Sequence, residues 1–180
     1  MALTHEQIVA TGIAAVSLAP MAKLTASTEW SEKFYTLKDS VSITQDPPTK
    51  TEIKVDQKES AVSVTYESGS FTIEFDIPDI AKEVLSEFYN SVATAPVAPT
   101  NMEAIGLKLD NKIIKTMLKI DFASGQAIII PNCEIVSSIS ASDLSTSPVN
   151  IHITATALSA IGGDENEEAD VIFYYKKKAA

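Results

Sequence analysis

The chain contains no arginine, and all 14 of its basic residues are lysines set against 24 acidic residues, for a formal net charge of −10. Arginine carries the planar fork that clamps phosphates and guanine edges. Its absence, together with the acidic balance, argues against a protein that grips nucleic acid. Cysteine is nearly absent as well. Cys133 stands alone, so no internal disulfide organises the fold, and its apolar surroundings predict a small buried hydrophobe rather than a reactive thiol. Only 6 glycines and 8 prolines occur in 180 residues, and the prolines fall mostly between patterned segments. No apolar run is long enough to span a bilayer as a helix. Ile8–Pro20 is the nearest approach. Glu6 precedes it and no lysine does, so it lacks the positive start of an export signal and is expected to be an N-terminal strand or arm.

What the sequence does contain is alternation. In Ser40–Gln45, Val41 and Ile43 share a face. In Lys50–Val55, Ile53 and Val55 oppose Glu52 and Lys54. In Ala61–Glu67, Val62, Val64 and Tyr66 lie together. Phe71, Ile73, Phe75 and Ile77 alternate with Thr72, Glu74 and Asp76. A period of two is the mark of half-buried antiparallel strands. Glu67-Ser68-Gly69-Ser70 predicts a hairpin turn joining the last two of these strands, and Gln45–Thr49, with Pro47 and Pro48, predicts a turn or loop.

From Pro78 to about Asn90 the period lengthens. Ile80, Val84, Leu85, Phe88 and Tyr89 recur at helical spacing, with Pro78 and Asp79 suited to a first turn. Ser91–Asn101 reads as a linker. Strands are expected again at Ile105–Leu109, Ile114–Phe122, Gln126–Pro131 continuing through Ile139, Val149–Ala157 and Val171–Tyr175. Ala123-Ser124-Gly125 predicts a tight turn and Ala127–Ile130 a segment buried on both faces. The count is nine to eleven strands and one helix. That describes a mainly β chain: an antiparallel β-sandwich or barrel with one flanking α-helix, in a single domain over 1–180. Residues 1–30 include the arm or strand, and 176–180 form a charged tail.

Catalytic equipment is sparse. His5 lies in the expected arm and His152 on a polar strand face, and neither has a nucleophile at a telling spacing. One cysteine and two distant histidines fall short of a zinc ligand set. The Gly162–Asp170 stretch is acidic but lacks the ladder of a calcium loop. Trp30, with Phe34 and Tyr35 nearby, suits a sugar-stacking platform or, more commonly, a core edge or interface anchor. No catalytic, cofactor-binding or metal-binding residues are assigned, no cofactor is expected, and the chain is expected not to be an enzyme.

The stretch Asp39–Tyr89, with its strand, polar loop around Thr51-Glu52-Ile53, hairpin, and Phe75-Asp76-Ile77-Pro78-Asp79 leading into a helix, resembles a bacteriophage tail tube protein. Ile128–Ile135, Asp143-Leu144-Ser145 and Ile151–Leu158 are similar to the closing part of that fold, so about two thirds of the chain is covered. The extended N-terminal part and the acidic 164–170 loop depart from it. The resemblance implies a β-sandwich or barrel whose copies close into hexameric rings. These stack into a tube and meet other tail proteins, and DNA passes through an acidic lumen without specific binding. It implies a virion location, assembly in the host cytoplasm, no membrane partner, and kinship with type VI secretion tube proteins. Negative charge on the wall repels phosphates over about one Debye length, ~8 Å in physiological salt. The segments expected to meet sister copies are the N-terminal arm, Gln45–Lys50, Ser91–Asn101 and Ser159–Asp170. A carbohydrate-binding or adhesive β-sandwich is the alternative reading.

Overall fold

The computed structural model describes residues 11–21, 24, 28–53, 62–92, 100, 104–108, 110, 112–141, 148–159 and 169–175. The expectations for His5, the linker at 93–99, the loop at 142–147, the acidic stretch at 160–168 and the lysine tail at 176–178 fall outside these residues.

Twelve strands and one helix are present among the described residues. They are β1 (Ile13–Pro20), β2 (Ser31–Phe34), β3 (Ser42–Gln45), β4 (Thr49–Ile53), β5 (Ser63–Glu67), β6 (Phe71–Ile77), α1 (Lys82–Phe88), β7 (Asn90–Ser91), β8 (Leu107–Lys108), β9 (Ile114–Phe122), β10 (Ala127–Ser140), β11 (Asn150–Ala157) and β12 (Ile172–Tyr174). The chain is therefore mainly β and antiparallel with one helix, as expected. The main sheet runs β2-β1-β9-β10-β11-β6-β3, with β12 added to β10.

That sheet rolls. Its two ends, β2 and β3, are joined by only seven residues, 35–41, and within them the Leu37 N–H already reaches the Asp76 carbonyl at 2.8 Å. One core cluster gathers Val16, Leu18 and Phe34 from one end of the sheet with Ile73, Phe75 and Ile77 from near the other. Leu118, Ile120, Ile130, Cys133, Ile135, Ile151 and Ile153 fill the space between. Packing both ends around a single core requires a curved sheet. β2 and β3 do not pair, so the roll stays open along that seam.

Three local causes shape the roll. Strand β10 changes parity midway: Ile130 and Cys133, three residues apart, both enter the core, and the ladder to β9 shifts register between them. The extra residue at Pro131-Asn132 is a bulge, which bends the strand and keeps both halves facing inward. Residues 127–130 are buried on both faces, as their continuous apolar run predicts. Gly125, at φ 87°, makes the tight β9–β10 turn that Ala123-Ser124-Gly125 predicts. Helix α1 lies against the core through Phe88, whose ring centroid is 5.5 Å from that of Phe34. Lys112 Nζ donates to the Ser86 carbonyl at 3.1 Å and also to that of Glu87, filling the role of a basic group at the helix end.

Several expectations need correction. The helix starts at Lys82 rather than Pro78, because the Asp79 carboxylate takes the Ala81 N–H at 2.8 Å and holds the chain in a turn. Ile80 is consequently left 50% exposed. The helix also stops at Phe88, and Asn90 pairs in β7 instead. Of the strand expected at 105–109, Leu107–Lys108 form β8, Ile105 and Gly106 precede it, and residue 109 lies outside the described residues. Of the strand or arm expected at 8–20, residues 13–20 are the strand, an inner one flanked by β2 and β9. β2 was not anticipated. The hairpin expected between 61–67 and 71–77 does not form: β5 pairs with β4, and β6 pairs with β3 and β11.

Candidate functional site: an exposed two-stranded arm

The failed hairpin exposes a longer one. In the β3–β6 ladder Ser42 faces Glu74 and Gln45 faces Phe71. In the β4–β5 ladder Thr49 faces Glu67 and Ile53 faces Ser63. Between them, three residues on each strand, 46–48 and 68–70, lie opposite each other outside the ladders. The register is therefore identical on both sides of the interruption, and 42–53 with 63–74 make one continuous ribbon.

Prolines explain the gap. Pro47 and Pro48 have no N–H to give, so pairing lapses. Their fixed φ and the extended conformation they impose on the preceding residue suit a stretch that keeps the register of the flanking ladders. Of the turn or loop expected at Gln45–Thr49, residues 46–48 are an irregular stretch that interrupts the ladder without changing its register. On the other strand, Gly69 is required by crowding: a Cβ there would stand 1.9 Å from the Asp46 carbonyl oxygen. The Asp46 N–H donates to the Ser70 carbonyl at 2.9 Å, and the Ser70 hydroxyl donates to the Asp46 carboxylate.

Beyond the gap, every residue of β4 and β5 is exposed. At ~3.3 Å per residue the ribbon reaches about 26 Å from Gln45 to Ile53. One face of this arm carries Val64 and Tyr66 opposite Glu52 and Lys50, and Lys50 and Glu52 form an ion pair on it. The other face carries Thr49, Thr51 and Ile53 opposite Glu67, Thr65 and Ser63. Tyr66 is 67% exposed, Ile53 53% and Val64 41%. The alternation read from the sequence is real, but nothing in the described chain covers either face. Two paired strands alone are marginal in water, and unpaired strand edges invite further pairing.

The residues considered for chemistry are scattered. His152 lies directly across the β11–β6 ladder from Asp76, with Nδ1 2.7 Å from Oδ1. The pair belongs to the outward face of the sheet, with Thr72, Glu74, Thr154, Thr156, Glu134 and Ser138. A carboxylate–imidazole contact of this kind orients a histidine; Ser138 stands opposite His152 on β10, and no hydrogen bond joins the two. Cys133 is fully buried, and burial together with the neighbouring Glu134 charge pushes its thiol up to about 12, so it is inert. Among the described residues no three His, Cys, Asp or Glu side chains gather as a metal site. The aromatic trio separates: Phe34 is core, Tyr35 is 86% exposed, and the Lys119 ammonium sits 5.9 Å from the Trp30 ring centroid.

Concavities among the described residues include one of about 260 Å³ beside α1 and β7, lined by Lys82, Glu83, Ser86, Val92 and Ile105. A cavity of about 590 Å³ opens at the seam, lined by Ile13, Leu37, Val41, Ile43 and Phe122 with Lys38 and Asp39. A smaller cleft of about 180 Å³ lies between Phe122 and the exposed Phe173 and Tyr174 of β12, with Tyr175 just after it. Among the described residues, no helix is long and apolar enough to cross a membrane. No protein-family model matches the chain, and no curated protein matches it.

Proposed function

We propose that this chain is a structural subunit that assembles with copies of itself into stacked rings, forming a tube of the bacteriophage tail type that conducts DNA. The exposed arm carries this reading. A ribbon of ten paired residues without a buried side chain has no use for the stability of its own body. It suits a contact made after folding, with the edges and faces of a sister molecule. A segment of one copy docking on a different surface of the next is a heterologous contact, the kind that closes rings or extends filaments.

The outward face of β10, β11 and β6 supports the second half of the reading. It carries short polar side chains and the acids Glu74, Asp76 and Glu134, a chemistry that repels phosphate rather than holding it. The absence of arginine over the whole chain points the same way. A hexameric ring, a place in the virion tail, assembly in the host cytoplasm and contacts with other tail proteins belong to the same proposal. The carbohydrate-binding alternative drew on the aromatic trio, which the fold separates.

Negative-stain microscopy of the full purified chain tests this. Rings or tubes without added sugar or metal are expected. Isolated particles at every concentration reached would overturn it.

A further inference from the structure

We propose that residues 46–48 and 68–70 form a register-preserving hinge, about which the arm swings as one piece relative to the rolled body. The two strands are coupled there by one backbone hydrogen bond, from Asp46 N–H to the Ser70 carbonyl, and one side-chain bond between the same residues. Asp46 and Ser70 form a hydrogen-bonded pair, so two positions on it is Pro48, opposite Ser68, whose missing N–H takes a donor out of the ladder, while the Pro47 nitrogen faces away from the partner strand. At Gly69 the backbones approach until a Cβ would collide with the Asp46 carbonyl, which leaves a single point of close contact. Regular ladder with the same register flanks that point on both sides. Stiff segments joined by a narrow, weakly bonded contact bend at that contact.

No layer of the protein holds the angle. Residues 46–53 and 62–68 are all exposed, so no described side chain of the arm is buried against the body. Just inside the hinge the situation reverses: Phe71 packs against the core and Ile73 is fully buried. The hinge therefore lies where the anchored ribbon becomes a free one. The fixed register has a consequence of its own. The arm can change direction without slipping, so its two faces keep their identities whichever way it points.

The use of this hinge rests on the assembly reading: an arm free in the isolated subunit and held at one angle once docked lets folding finish before association. The hinge itself is a property of the single chain and is tested there. Spin labels go on an arm–body pair, Thr51→Cys with Lys115→Cys, and on a body-only pair, Lys115→Cys with Ser138→Cys. Thr51, Lys115 and Ser138 are exposed, and the native Cys133 is buried and unreactive. Pulsed electron spin resonance on the unassembled chain then gives the two distance distributions. The arm–body distribution is expected to be roughly twofold broader than the body-only one. It narrows when Pro48→Thr, alone or together with Pro47→Val, restores the missing donor.

An arm–body distribution as narrow as the body pair overturns the proposal. So does a broad one that the proline replacements leave unchanged, since the bending then lies elsewhere. If the proline variant does not fold, the two wild-type distributions decide the question by themselves. Failure of the assembly reading would show separately, as an absence of large particles, without altering these widths.

Discussion

The two halves of the long ribbon are built from similar sequence and live in different surroundings. Phe71–Ile77 and Ser63–Glu67 both alternate apolar with polar residues. In the first, Ile73, Phe75 and Ile77 are at most 1% exposed, whereas in the second Tyr66 is 67% exposed. Alternation prepares a face; whether that face is buried depends on what the rest of the chain brings to it. The inner half meets β11 and the core. The outer half meets nothing in the described chain, and its partner is proposed to be another molecule.

The largest expected effect breaks the inner half. Phe75→Ala should cost about 3–5 kcal/mol, because it removes a fully buried ring and leaves a cavity. Denaturant unfolding followed by circular dichroism would measure it, and a loss below about 1 kcal/mol would mean that this face is not the core. Next comes the hinge. Gly69→Ala places a methyl group against the Asp46 carbonyl and should cost about 1–3 kcal/mol through forced separation of the strands. Hydrogen exchange should then rise in β4 and β5 while the core strands keep their protection.

Removing the helix-end donor with Lys112→Ala should cost roughly 0.3–1 kcal/mol, again by unfolding. The smallest effect belongs to the outer half. Tyr66→Ala should change the stability of the isolated chain by less than about 0.5 kcal/mol, since only its exposed cross-strand contact with Lys50 is lost. A larger loss would mean that the arm packs on its own body.

Cys133 sharpens the same contrast through pH. Its folded thiol, raised to about 12 from 9.0, stays protonated while the unfolded thiol ionises. The folded state then holds more protons, so this group's contribution is fully present below pH 9 and declines as pH rises toward 12. Native protein should resist thiol reagents near neutral pH and react only on unfolding. Ready labelling of the native chain would contradict the burial.

Much of the inner half was legible in the sequence. The period of two in Phe71–Ile77 and Ile114–Phe122 marked the strands, Gly125 marked the hairpin turn, and the run at 127–130 marked a doubly buried segment. Legibility ended where local signals have two physical causes. Glu67-Ser68-Gly69-Ser70 reads as a turn because serine and glycine favour turns. Here the glycine answers a close backbone crossing with Asp46, a residue 23 positions earlier in the chain. Pro47-Pro48 reads as a loop because prolines break ladders, yet here the ladder resumes beyond them in the same register. Asp79 suits the first turn of a helix and instead holds a turn before it. β2, Ser31-Glu32-Lys33-Phe34, has no alternation to announce it and becomes a strand through its pairing with β1. The exposed ribbon beyond Gln45 has no local signal in the sequence. Its length depends on a register set between strands distant in sequence.

Sedimentation of the wild-type chain beside the variant carrying Val64→Asp and Tyr66→Asp tests the central claim most directly. Both positions are exposed on one face of the arm, so both proteins should melt alike. The wild type is expected to sediment as particles many times the 19.3 kDa chain mass, and the variant as the single chain. Equal particle masses for the two proteins would contradict the account.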